Sequence, residues 1–162
     1  MEVRPLQVDD QFRVLEIMEE HSFQFPPFIR ALYPARWQSY LEAKDESQCG
    51  FYVMVDDSEG VIGHAGYVLQ EDANQYEIVG VATKMSRLRS GVSSKLIAAI
   101  CEKIEQLGHN TVVLYTLQHE QNQAAVAFYE RLGFITLNLE MNYYSTGYHR
   151  LTLMKPLHRE AF

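Results

Sequence analysis

The spacing of apolar positions changes period along the chain, and the changes mark its elements. "EVRPL", residues 2 to 6, predicts a short edge strand, because proline cannot donate to a central ladder. Asp9 stands where a cap would open a helix carrying Phe12, Leu15 and Met18 at helical spacing. After the bend "HSFQFPPF", a second helical stretch over about residues 28 to 43 carries Ile29, Leu32, Trp37 and Leu41, interrupted near Pro34. The period then shortens. "GFYVMVD" and "VIGHAGYVLQ" predict two strands joined at "DSEG" by a hairpin turn, and "QYEIVGVAT", 75 to 83, predicts a third, apolar enough to be central.

From Gly91 the helical period returns. Val92, Leu96, Ala99, Ile100, Ile104 and Leu107 form one apolar face that ends at Gly108. "TVVLYT", 111 to 116, predicts a strand, residues 122 to 132 a helix, and 134 to 141 with 150 to 155 a closing pair around "YYSTGYH". The order is β, α, α, three strands, helix, strand, helix and two strands, which implies an α+β or mixed α/β sheet with helices packed on it. No linker or repeat divides the 162 residues, so one domain over 1–162 is expected.

Composition narrows the function classes. With 47% hydrophobic and 22% charged residues the chain reads as a folded protein. A formal charge of −7 without clustered Lys or Arg argues against a nucleic-acid partner. No apolar run reaches the ~18 residues of a membrane span, and "MEVRPLQVDD" has no secretory pattern, so a cytoplasmic protein without a membrane partner is expected. Cys49 and Cys101 are isolated, and His21, His64, His109, His119, His149 and His158 are scattered without helical zinc spacing. Free thiols and no metal are the expectation.

Two segments carry candidate chemistry. "SRLRSGVSSKLI", 86 to 97, joins the central strand to a helix that opens at a glycine. Unpaired N–H groups and the helix dipole at such a start suit phosphate oxygens; Ser90, Ser93 and Ser94 add hydroxyls, and Arg87 and Arg89 add charge. It is neither a P-loop nor a GxGxxG turn, and taken alone such a start is more often a structural turn. In "NQAAVAFYERLGF", 122 to 134, Ala125, Phe128 and Leu132 share a face with Tyr129 at its edge. Asn122 can be a cap, Tyr129 a core residue and Gly133 a left-handed helix end.

Taken together, "YEIVGVAT", the serine-rich helix start, "VVLYT" and "NQAAVAFYERLGF" resemble the GCN5-related N-acetyltransferase (GNAT) superfamily. The resemblance implies a mixed, mostly antiparallel sheet of six to seven strands with about four helices, and acetyl transfer from acetyl-CoA to a primary amine. It implies that residues 89 to 94 (Arg89, Ser90, Gly91, Val92, Ser93, Ser94) hold the pyrophosphate of coenzyme A, and that Val81, Ala82 and Thr83 meet the pantetheine and acyl carbonyl. Asn122 and Ala125 would contact the pantetheine arm as well, and Tyr129 would direct its hydroxyl at the sulfur. Leu88 stands where the family motif has Gln or Arg, and cannot donate to phosphate.

Such a transfer needs a neutral amine, a stabilised carbonyl oxygen and a proton for the thiolate. Glu77, in "EIVGVA", matches the general base of histone-type members; an exposed or ion-paired strand glutamate is the other reading. The acceptor, a small-molecule amine or a protein amino group, should meet the amino-terminal helices and closing strands. These supply Phe23, Phe25, Phe28, Tyr33, Tyr143, Tyr144, Tyr148, Glu19 and Glu20, aromatics that core packing would also explain. An acyl-CoA-binding sensor on the same fold is the alternative, favoured by Leu88. Monomer and homodimer are both compatible.

Overall fold

The structure, a computed structural model, describes residues 1–157; His158 lies outside them. The described chain holds seven strands: β1 (Glu2–Pro5), β2 (Cys49–Asp56), β3 (Gly60–Gln70), β4 (Gln75–Thr83), β5 (Thr111–Gln118), β6 (Ile135–Ser145) and β7 (Tyr148–Pro156). Four helices of nine residues or more accompany them, α1 (Gln11–Glu19), α3 (Tyr33–Ala43), α4 (Val92–Gln106) and α5 (Gln123–Arg131), with α2 (Pro27–Arg30) a single turn. The strand order is β1-β2-β3-β4-β5-β7-β6. The pairs β1/β2, β2/β3, β5/β7 and β6/β7 are antiparallel, whereas β4 and β5 run parallel, as the crossover through α4 requires.

The chain clusters into two compact units, with β4 and α4 each contributing to both: residues 1–69 with 79–100, and residues 70–78 with 101 onward. In the first, β2 and β3 pair from Cys49↔Val68 to Asp56↔Gly60, and α1 and α3 bury their inner faces in a core with Phe51 and Val53. In the second, β7 pairs along β5 from Thr111↔Pro156 to Gln118↔His149, and β6 lies outside it with its apolar residues exposed. The β4/β5 register there is Glu77↔Val113 and Ile78↔Leu114.

Several element boundaries differ from the sequence expectation for physical reasons. Asp10, not Asp9, anchors the start of α1. Its carboxylate accepts from Arg4 at 2.7 and 3.0 Å and from the Gln7 N–H at 2.8 Å, and the chain makes a short turn over Val8–Asp10 before the helix begins. With that phase Val14, Ile17 and Met18 point inward and Phe12 is 75% exposed. The helical stretch is interrupted near Pro34, as expected: α2 ends at Arg30 and α3 begins at Tyr33, with Pro34 in its first turn, where its missing N–H costs nothing, and Tyr33, Trp37 and Tyr40 form the buried stripe. Cys49 is half-buried and Cys101 buried, both as free thiols.

Burial alone would raise the Asp10 carboxyl, but the hydrogen bonds from Arg4 and Gln7 outweigh it and draw its pKa below the ordinary value. Asp10→Asn should therefore lower the unfolding free energy by roughly 1–3 kcal/mol at neutral pH, read as a fall in the urea midpoint at unchanged slope. An unaltered midpoint would show that this anchor contributes nothing.

Candidate functional site

The first unit gathers nine predicted site residues around the end of β4 and the start of α4. Thr83 is the knot between them. Its hydroxyl shares a 2.6 Å hydrogen bond with Ser93 on α4, and its carbonyl accepts from His21 Nε2 at 2.6 Å. The next residue, Lys84, donates its N–H to the Ile62 carbonyl of β3 at 2.8 Å. Val81 is half-buried, and Ala82 and Thr83 are buried.

Between the strand and α4 the backbone reverses through two left-handed residues, Arg89 (φ 64°) and Gly91 (φ 84°). Ser90 sits between them and bonds the Arg87 carbonyl through its hydroxyl. A side chain added at Gly91 would meet nothing within 4 Å, so the space beside this turn is open. It leads into a helix of fifteen residues whose first N–H groups lack partners within the helix, a geometry that fits phosphate oxygens.

The two arginines of the loop part company. Arg87 is held by Asp56 at 3.4 Å and Glu59 at 3.5 Å, with its charge already met. Arg89 is exposed and enters no ion pair among the described residues, so it is the cation left for a ligand. Leu88 is 48% exposed.

The second unit holds Glu77, Asn122, Ala125 and Tyr129. Asn122 is buried and donates its side-chain N–H groups to Thr116 Oγ1 at 2.9 Å and to the Leu117 carbonyl at 2.7 Å. It thus ties the start of α5 to β5, and makes no side-chain capping bond to the helix. The expected apolar face of α5 is also shifted: Tyr129 is its one buried residue, at 9% exposure, while Ala125, Phe128 and Leu132 are half-buried. The Tyr129 ring packs edge-on to Phe128 and Phe134, and the helix closes at Gly133 with the Phe134 N–H on the Tyr129 carbonyl at 3.1 Å. Glu77 is half-buried on β4 and accepts from Gln70 Nε2 at 2.6 Å.

The residues expected at the acceptor fall into separate groups. Phe25 and Tyr33 are core residues, stacked edge-on to each other, and are not available to a substrate. Glu19 and Glu20 line a cavity of ≈ 350 Å³ with Arg13, Glu16, Ile17 and Lys84, and Glu20 also accepts from the Met85 N–H at 3.0 Å. Tyr143 and Tyr144 lie edge-on to each other on β6. The Arg150 guanidinium stands over the Tyr143 ring at 3.9 Å and the Tyr115 ring at 4.4 Å, bonded to Glu140 at 2.7 Å.

Sequence reasoning passed over His64 and Trp37. His64 is 0% exposed, on β3, with Phe51 stacked on its ring and Tyr33 and Trp37 edge-on. Trp37 Nε1 donates to His64 Nε2 at 3.1 Å. An indole can only donate, so Nε2 is the acceptor and the imidazole proton resides on Nδ1, which donates to the Gly80 carbonyl at 2.7 Å. The available signal was slight: a histidine in an apolar, glycine-flanked run, and the single tryptophan of the chain.

Comparison with known proteins decides the family. The model of the acetyltransferase (GNAT) family matches residues 14–134. The chain belongs to the GNAT acetyltransferase family. It is similar to a protein described as a GNAT-family acetyltransferase from Desulfovibrio desulfuricans, at 19% identity and TM-score 0.88, over 97% of this chain and 99% of that one. An aminoglycoside 6'-N-acetyltransferase complexed with coenzyme A matches at 13% identity and TM-score 0.71, over the whole of both chains. The ribosomal-protein-S18-alanine N-acetyltransferase from Escherichia coli matches at 18% identity and TM-score 0.72, over 99% and 96%. At these identities the likeness is one of fold. Among curated proteins the sequence finds no match. Among the described residues of this GNAT member, no helix is long and apolar enough to cross a membrane.

Burial lowers the His64 pKa to about 4, against a smaller opposing effect of its bond to Gly80. In the unfolded chain it returns to ~6.5, so the unfolded state binds the proton first as pH falls. The stability contributed by neutral His64 is complete above pH ~6.5 and is lost as pH falls toward about 4, by roughly 3 kcal/mol in all. Urea unfolding from pH 7 to 4 should show this loss, and His64→Leu should remove that part of it. An identical pH slope in both proteins would contradict the assignment.

Proposed function

We propose that the chain is an acetyl-CoA-dependent N-acetyltransferase that moves an acetyl group to a primary amine by direct attack. The observation that carries the reading is the loop from Arg89 to Ser94: two left-handed residues, an open flank at Gly91 and an arginine with no ion pair among the described residues lead into the amino terminus of α4. Family membership and the neighbour complexed with coenzyme A support it.

In this reading acetyl-CoA supplies an activated thioester, and the chain supplies grip, polarisation and proton transfer. The N–H groups of residues 89 to 94, with Arg89 and the hydroxyls of Ser90, Ser93 and Ser94, bind the pyrophosphate oxygens. The backbone of Val81, Ala82 and Thr83 binds the pantetheine and stabilises the carbonyl oxygen as it gains charge. Asn122 and Ala125 border the pantetheine arm, and Tyr129 holds on its phenol oxygen the proton that the thiolate needs on leaving. Glu77 takes the proton of an amine whose pKa in water is ~10.4 if lysine-like.

The acceptor is a small-molecule amine or a protein amino group, as the names of the aminoglycoside and ribosomal-protein neighbours illustrate for those proteins. Glu16, Glu19 and Glu20 around the ≈ 350 Å³ cavity outnumber its cations, Arg13 and Lys84, by one charge, which favours a cationic acceptor.

Release of free thiol from acetyl-CoA over a panel of amines tests the activity. Turnover that depends on the amine is expected, with Tyr129→Phe lowering kcat about a hundredfold and Glu77→Gln doing the same while removing the limb of the pH profile that reports the base. Unchanged rates in both variants would retire these roles. A second reading, a binding protein that senses acyl-CoA without turnover, is favoured by Leu88 at the motif's first position and by the prior engagement of Arg87. It predicts tight binding and no thiol release with any amine.

Calorimetric titration tests the grip separately. Arg89→Ala and Ser93→Val should each weaken acetyl-CoA binding about tenfold, corresponding to ~1.4 kcal/mol. Affinity unaltered in both would remove the proposed pyrophosphate site.

A further inference from the structure

The proposed chemistry relies on the backbone of Val81 to Thr83, and that backbone follows directly on an unusual residue. Gly80 lies inside β4 at φ +67°, where an L side chain is strained. A methyl group there would also stand 2.9 Å from His64 Cε1 and 2.9 Å from Tyr33 Cε1. The strand therefore turns at a position closely lined by two rings of the first unit's core. A left-handed residue within a strand persists only where its surroundings over-determine it.

His64 meets that requirement through a directed bond. Its Nδ1–H reaches the Gly80 carbonyl at 2.7 Å, and Trp37 Nε1–H on Nε2 at 3.1 Å permits only the tautomer that makes this bond. Phe51, Tyr33 and Trp37 enclose the ring so that it can neither flip nor reach water. The carbonyl of Gly80 and the N–H of Val81 belong to one planar peptide, so holding the first orients the second. One turn further along, His21 and Ser93 hold Thr83. The segment is thus fixed by a buried hydrogen bond at Gly80 and by two part-buried ones at Thr83.

We propose that His64, set in its tautomer by Trp37, is a positioning residue for acetyl transfer: it holds the turn at Gly80 so that the N–H groups of Val81 to Thr83 are already aimed when the acyl carbonyl arrives. The inference rests on the functional reading above. It differs from a packing role because it depends on a donor at one place, whereas the core cluster requires only volume. His64 never touches the reacting atoms, and its loss acts on the chemical step while the pyrophosphate grip on α4 is left intact.

The test compares His64→Leu, which keeps bulk and removes the donor, with His64→Asn, whose amide nitrogen takes the place of Nδ1 and restores a donor despite smaller volume. Steady-state thiol release gives kcat and KM, calorimetry the affinity for acetyl-CoA, and thermal unfolding the stability. His64→Leu should lower kcat at least tenfold with acetyl-CoA affinity within threefold of the unsubstituted protein, and His64→Asn should recover kcat to within threefold even if it melts lower. Equal kcat in all three proteins overturns the proposal, and so does equal loss in both variants, which is the mark of packing alone. If His64→Leu does not fold, His64→Gln takes its place: its amide reaches the position of Nε2 and leaves the Gly80 carbonyl without the Nδ1 donor, so kcat should fall at least tenfold at unchanged affinity, and an unchanged kcat overturns the proposal. Failure of the functional reading shows elsewhere, as absence of amine-dependent thiol release in the unsubstituted protein.

Discussion

A carbonyl buried inside a sheet must have a donor, and the first unit is arranged around meeting that demand at Gly80. The partner is an imidazole, and an imidazole with both nitrogens buried needs an acceptor on one side and a donor on the other. Gly80 and Trp37 supply them in that order. The chain of three polar groups spans α3, β3 and β4, and the hydrophobic core closes around it. Charge is excluded from this arrangement: a proton on Nε2 would face the indole N–H, and burial opposes it as well.

The acidic character of the chain and the anionic carrier it is proposed to bind are reconciled locally. Arg87 is neutralised by Asp56 and Glu59, which draws the loop down onto the β2/β3 hairpin, and Arg89, two residues on, enters no ion pair among the described residues. Backbone dipoles and one exposed cation then face the solvent where the net charge of −7 would otherwise repel an anion. Lys84, similarly bound to Glu59, helps fasten the hairpin. Positive charge is therefore divided between fastening the loop and serving it.

Much of this was legible in the sequence. The strand over 75 to 83 lies where its apolar run put it, the long helix starts one residue after Gly91, and the order of elements agrees from end to end. What misled was phase. Phe12 fits a helical stripe as well as Val14 does until the Arg4–Asp10 pair sets where α1 begins, and that pair joins a strand to a turn across six residues. Tyr129 was placed at the edge of its face, whereas packing against Phe134, which lies beyond the helix, makes it the most buried residue of α5. His64 was invisible as a functional residue because its partners stand 27 and 16 positions away, and no local spacing joins a tryptophan, a histidine and a glycine carbonyl. Asn122 looked like a cap, yet its donors go to β5.

The central claim is that main-chain N–H groups after Gly80 and around Gly91 receive the thioester carrier. Amide chemical shifts of the nitrogen-15-labelled protein, followed while coenzyme A is added, address it most directly. The account predicts saturable shifts concentrated at Val81 to Thr83 and at Arg89 to Ser94, with the amides of β1 and β2 unmoved. Shifts confined to other segments, or none at millimolar coenzyme A, would contradict it.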